Sequence, residues 1–464
     1  MHCRRSHLPV IAAMALAAIT GPAFAAPRTD GTAPDAPVSG NTASARADFD
    51  GDGYADVAIG APGGTVNGKA GAGYVAVDYG MAEGPNGVKR QLVSQNRYGV
   101  PGTAETDDRF GSTLTAADLD ADGFTDLVVS SPGEDIGDAQ NVGRYTILWG
   151  SVGGLATATT TVEGTSPTRA GDFDGDGHID LVTGDRVLHG PFDRTAGPAR
   201  SSALADADAR IYAMAAGDLD GDGITDLVVS SSPSTTAAPR LRLFTGTHSG
   251  LVAGPDIASA DTASVDSVGL GDIDGDGRQD VVFGRSTSGA GGLVGVVRGT
   301  PGGPAPRATL LGQDSPDVPG TGETGDGFGS DVSVADVDQD GYADVVTGVP
   351  GEDVGTTKDA GMFVVLKGSG AGLTGAGAQA FTQNTAGVPG AAEENDRFGG
   401  ATAVVPGYVV VSAPGENGGS GSVWVLPTNS SGVTADGSVS FGPGTLAAPT
   451  TGAQLGSALH RTSG

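Results

Sequence analysis

The sequence predicts an all-β protein, a seven-bladed β-propeller of four-stranded blades with calcium-binding loops. Three observations carry this prediction. A nine-residue acidic pattern, D-x-D-x-D-G-x-x-D, occurs six times in 464 residues. Each copy runs into a short apolar, β-branched stretch closed by glycine, serine or proline, which reads as a buried strand. The copies begin at residues 48, 118, 172, 218, 272 and 336, so they recur every 46–70 residues, about the length of one blade.

The acidic loops come first. Positions 1, 3, 5 and 9 are Asp48, Asp50, Asp52 and Asp56 in the first copy, then Asp118, Asp120, Asp122 and Asp126. The third and fourth copies carry Asp172, Asp174, Asp176, Asp180 and Asp218, Asp220, Asp222, Asp226. The last two carry Asp272, Asp274, Asp276, Asp280 and Asp336, Asp338, Asp340, Asp344. A hard cation such as Ca²⁺ takes six to eight oxygens at about 2.3–2.6 Å, and carboxylates at alternate positions of a tightly wound loop converge to supply them. Glycine at position 6 permits the turn. Position 7 is Tyr54, Phe124, His178, Ile224, Arg278 or Tyr342, a variety that suits a ligand provided by the backbone carbonyl. Uncompensated, carboxylates wound this closely would repel by roughly 4 kcal/mol per close pair at an effective dielectric near 20. Six Ca²⁺ sites are therefore expected, with Mg²⁺ less suited because it keeps its waters.

An EF-hand would need glutamate at loop position 12 and helices on both sides. Position 12 of the first copy is Ile59. The runs Val57-Ala58-Ile59, Leu127-Val128-Val129, Leu181-Val182, Leu227-Val228-Val229, Val281-Val282-Phe283 and Val345-Val346 are strands instead, so each loop joins two strands.

Other elements complete the unit. F-G pairs stand at Phe110-Gly111, Phe328-Gly329 and Phe398-Gly399. G/S-x-P-G segments follow the second strand at Gly60–Gly63, Ser130–Gly133, Gly348–Gly351 and Ser412–Gly415. A third strand begins near Tyr74, Tyr145, Leu241, Leu293, Phe363 and Val423, and a weaker fourth follows. A seventh unit spans about 397–440, with Val404-Val405-Pro406-Gly407 in place of the acidic loop.

On these F-G pairs, the acidic loops and Gly60-Ala61-Pro62, the chain resembles the FG-GAP repeat family, the repeat of the integrin α-subunit N-terminal β-propeller, also found in secreted bacterial proteins. The resemblance covers residues 47 to 464; its F-G and GAP elements are degenerate in blades 3, 4 and 5. It implies seven blades with Ca²⁺ in the loops between first and second strands. The ring is expected to close through Gln454–Leu459, which resembles Phe110–Leu114 and would give blade 1 its first strand; Asn41–Ala47 is the alternative.

Residues 1–25 read as a signal peptide: Arg4 and Arg5, the apolar stretch Leu8–Thr20, and Ala23-Phe24-Ala25 as cleavage site. Residues 26–46 read as a flexible leader, and 47–464 as the propeller. The lone cysteine, Cys3, falls in the signal, so an extracellular protein without disulfides is expected. No later apolar run is long enough to span a bilayer.

The net charge of −30 argues against a nucleic-acid partner. The loops hold 24 of the 55 acidic residues, so much of the acidity belongs to candidate ligands rather than to solvated surface. Glu105, Asp108, Glu323, Asp326, Glu393 and Asp396 recur in linkers between blades and, with Glu134, Glu352 and Glu416, crowd the face opposite the acidic loops. They are expected to cap turns or to border a ligand surface. There is no G-x-S-x-G, no H-E-x-x-H and no cysteine nucleophile. The expected function is adhesion or binding of an extracellular protein or glycan by a monomer, with no catalytic residues assigned. The alternatives are a hydrolase or lyase acting on glycans or phospholipids, since FG-GAP repeats also accompany a zinc-dependent phospholipase D, and a purely structural secreted propeller.

Overall fold

A run of apolar residues too short for a helix and flanked by turn formers is stable only when both of its faces are covered. Each run after an acidic loop satisfies this as the second strand of a blade. Val57–Ala61, Asp126–Ser131 and Asp344–Val349 are buried along their whole length. The computed structural model describes residues 46–462 except 98, 157–158, 206, 209, 235–236, 238, 259–260 and 263. The expected signal peptide, residues 1–25, and nearly all of the expected leader lie outside the described residues.

Seven antiparallel sheets follow one another along the chain, and the protein is a seven-bladed β-propeller. Blade 2 shows the order: Leu114–Ala117, Asp126–Ser131, Arg144–Leu148 and Thr159–Glu163. In blade 3 the strands are Arg169–Gly171, Asp180–Val182, Arg186–His189 and Arg200–Ala203, and in blade 6 they are Val332–Ala335, Asp344–Val349, Met362–Lys367 and Thr374–Phe381. Acidic loops therefore join first to second strands. In blade 7 the Thr402–Val405 and Tyr408–Ala413 strands pair directly, Val405 opposite Tyr408. Pro406 and Gly407 (φ +83°) make the two-residue turn, so no loop is left to wind.

The core lies between neighbouring sheets. Val75 and Val77 of blade 1 share a cluster with Phe110, Leu127 and Val129 of blade 2. Between blades 6 and 7, Phe398 packs edge-on against Trp424 at 5.1 Å between centroids. The three F-G pairs fasten blades 2, 6 and 7 to the blade before each. Phe110 is fully buried, and a Cβ on Gly60 would lie 2.1 Å from the Gly111 carbonyl oxygen. Gly284 and Gly348 meet the Gly329 and Gly399 carbonyls in the same way. Glycine at these three positions lets the two backbones touch.

Blade 1 takes its first strand from the C-terminal segment named above; of the alternative Asn41–Ala47, residues 41–45 lie outside the described residues and Ala47 belongs to no strand. Ala458–Leu459 pairs antiparallel with Val57–Ala61, Ile59 opposite Leu459. Below this pair, the Asp56 amide donates to the Ala47 carbonyl at 2.8 Å. Beyond it, Arg461–Thr462 runs parallel to Leu114–Ala117 of blade 2, while the Arg461 guanidinium reaches blade 6, donating to the Val332 carbonyl at 2.9 Å and pairing with Asp331.

Candidate metal centres

Six loops have one hydrogen-bond design. The amide of the position-6 glycine donates to the position-1 aspartate: Gly53 to Asp48 at 3.0 Å, Gly123 to Asp118 at 3.0 Å, Gly341 to Asp336 at 3.0 Å. The other three loops repeat this bond at 2.8–2.9 Å. The position-7 amide donates to position 5, as Tyr54 does to Asp52 at 3.0 Å. All six position-6 glycines have φ between +85° and +94°, where a Cβ would be strained. The backbone thus curls around the carboxylates and turns them inward.

Position 9 has a second, bracing task. Asp56, Asp126, Asp180, Asp226, Asp280 and Asp344 are essentially buried. One oxygen of each accepts the amide of a glycine just past the third strand, from Gly80 at 2.8 Å to Gly368 at 3.0 Å. In blades 1, 2, 4 and 5 the other accepts the amide of loop position 2, as Asp56 does from Phe49 at 2.7 Å. This aspartate braces the loop against its blade. Burial, with the other loop carboxylates adding to it, raises the Asp56 and Asp126 carboxyls to about 7 and the Asp226 and Asp280 carboxyls to about 6.

Position 3 fits a cation. Oδ1 of Asp120, Asp174, Asp274 and Asp338 is buried without a hydrogen-bond partner. Carboxylate oxygens of Asp118, Asp120 and Asp122 lie within 4.8 Å of one another, as do those of Asp48, Asp50 and Asp56. A buried carboxylate oxygen with no donor is costly unless a positive charge faces it.

Basic side chains that the sequence reading did not connect with the loops are found at their carboxylates. Lys89 pairs with Asp50 and Asp52, Arg194 with Asp120 and Asp122, Arg200 with Asp174, Arg298 with Asp274, and Lys367 with Asp338 and Asp344. The residue before the position-9-bonding glycine is Tyr79, Trp149, His189, Thr245, Arg298 or Lys367 in the six blades. That position puts His189, Arg298 and Lys367 beside their loops, whereas Lys89, Arg194 and Arg200 come from other places in the sequence.

The linker carboxylates form three like clusters on the opposite face. Asp108, Asp326 and Asp396 each accept the amide of Glu105, Glu323 or Glu393, at 2.5, 2.6 and 2.7 Å, and so cap turns. Gln313 and Gln383 donate to Glu352 and Glu416 at 2.6 Å, and Gln95 to Glu134. At the same places blade 1 has Pro443, Ala453 and Gly64. All three polar partners are replaced together, which fits a structural set.

Seven blades, six of them with an acidic loop, define a β-propeller with candidate metal sites. Within that class, the chain carries FG-GAP repeats: the FG-GAP repeat model matches residues 39–78, 110–148 and 328–366, and an FG-GAP-like repeat model matches 218–283. The chain is similar to the phosphatidylinositol-glycan-specific phospholipases D of Rattus norvegicus (31% identity over 147 residues), Mus musculus (31% over 145) and Bos taurus (29% over 147). The matches cover 29–30% of this chain and 17% of each relative, so they span only a small part of those proteins.

Proposed function

We propose that this FG-GAP propeller is a secreted, monomeric calcium-binding protein that recognises an extracellular protein or glycan. The observation that carries the calcium reading is the buried, partnerless Oδ1 of position 3 in four loops whose backbone turns it inward. The residues that would hold the ions are the aspartates at positions 1, 3, 5 and 9 of each loop with the position-7 carbonyl. An all-oxygen donor set suits Ca²⁺. Bound calcium would offset the carboxylate repulsion and fix the loops at one end of each blade. The loops at the other end, bordered by Glu105, Glu323 and Glu393, are then free to vary and to meet a ligand.

The relatives' name favours a second reading, a hydrolase of glycans or phospholipids on the propeller scaffold. Screening the purified protein against glycan arrays and phospholipid vesicles, with calcium and with EDTA, separates the two. Saturable, calcium-dependent binding without turnover is expected; product release would favour the hydrolase.

A further inference from the structure

We infer that the loop of blade 3 is a mixed nitrogen–oxygen centre that takes a transition-metal ion of the Zn²⁺ or Co²⁺ class. This rests on the reading that the loops hold cations and goes beyond it in the identity of one ion.

Three of the four histidines among the described residues gather at this loop. His178 is its position 7, His248 places Nδ1 3.4 Å from the Asp174 carbonyl oxygen, and His189 ends the third strand directly beneath it. His189 is the one that faces the carboxylates. It is 2% exposed, with Nδ1 3.2 Å from Asp174 Oδ2 and 3.3 Å from Asp180 Oδ2. That nitrogen is in no hydrogen bond, and neither are Asp174 Oδ1 and Asp180 Oδ2. One imidazole nitrogen thus stands at ion-pairing distance from two buried carboxylates, and each of the three side chains keeps a buried polar atom outside any hydrogen bond.

The other ring nitrogen is held. His189 Nε2 lies 2.8 Å from Ser202 Oγ on the next strand, the kind of outer contact that fixes the orientation of a ligating imidazole. A tetrahedral site with bonds of about 2.0–2.1 Å has ligand edges of about 3.3 Å, and the Nδ1–oxygen separations match. Calcium could also fit this spacing; the donor decides. Imidazole suits zinc, cobalt, nickel and copper, whereas Ca²⁺ prefers oxygen throughout. No other acidic loop has a histidine at this place: the equivalents are Tyr79, Trp149, Thr245, Arg298 and Lys367. Arg200 also pairs with Asp174, but its side chain is 56% exposed and can turn to solvent when an ion binds.

The test is Co²⁺ uptake by the full chain in excess calcium, read by visible absorption and by metal analysis after dialysis. His189→Thr is the main variant, since blade 4 folds with Thr245 at that place. The unmodified protein should retain one Co²⁺ per chain with a nitrogen-ligated spectrum. His189→Thr should lose that equivalent while its calcium content is unchanged, and Ser202→Ala should weaken it by about tenfold or more. Cobalt uptake that depends on His189 supports the inference whatever the calcium count. Uptake indifferent to His189, or no uptake, overturns it. The calcium count of the unmodified protein tests the underlying reading separately, and a far-ultraviolet melt of each variant excludes misfolding.

Discussion

Lys367 Nζ donates to Asp338 Oδ2 at 2.7 Å and to Asp344 Oδ2 at 3.1 Å, so an ammonium from the third strand of blade 6 holds two carboxylates of that blade's own acidic loop. Burial alone would push the ammonium down, yet the two aspartates hold it above its usual value. A calcium ion at this loop would compete with the tethered ammonium for the same oxygens. Lys367→Met should therefore tighten calcium at this one loop by about tenfold or more. A unit charge a few ångströms from the ion opposes it by roughly 4 kcal/mol at an effective dielectric near 20. Calorimetric titration against a competing chelator would show one site moving to higher affinity and the others staying in place.

Glu416, beside Asp396, is one of several linker-face carboxyls held above the usual range, and it predicts a pH dependence. Burial and the neighbouring Asp396 raise the Glu416 carboxyl from 4.5 to about 7. Between these two values the folded state holds more protons than the unfolded one, so stability falls as pH rises through the window. Glu416→Gln keeps the shape without the charge. It should raise the melting temperature at pH 8, have little effect near pH 4.5, and flatten the decline between them, as read by thermal melts across that range.

The blade junctions predict a steric effect. Gly60→Ala would place a Cβ 2.1 Å from the Gly111 carbonyl, where only backbone could yield. A loss of about 1–3 kcal/mol is expected, typical of overpacking a filled interior. Urea unfolding would measure it.

Closure predicts a cooperative effect. Ala458–Leu459 pairs with blade 1, and Arg461 ties blade 2 to blade 6. Deleting residues 450–464 should replace the single unfolding transition by a broad one at lower temperature. Arg461→Ala should keep the single transition but lower its midpoint. An unchanged melt after the deletion would refute the role given to these residues.

The parts of this protein that could be read from sequence are local. An acidic loop and the strand after it are contiguous, so Asp118–Val129 shows both the curl and the buried run. The seventh blade was legible despite its missing loop, because Phe398-Gly399 and Tyr408–Val411 remain. What escaped sequence reading comes from distant residues. Lys367 reaches Asp338 across 29 positions and Arg194 reaches Asp120 across 74. His189 looks like an ordinary strand residue until the sheet sets it against Asp174 and Asp180. The position-9 aspartates read as ligands, and the strand-three glycines that bind them left no signal beyond being glycines in a glycine-rich chain.

Calcium-dependent melting tests the central claim most directly. At free calcium about tenfold above the dissociation constant, each site contributes roughly 1.4 kcal/mol, or ~8 kcal/mol for six independent sites. The melting temperature should fall sharply on chelation and recover when calcium is restored. A melt identical in calcium and in EDTA would contradict the account.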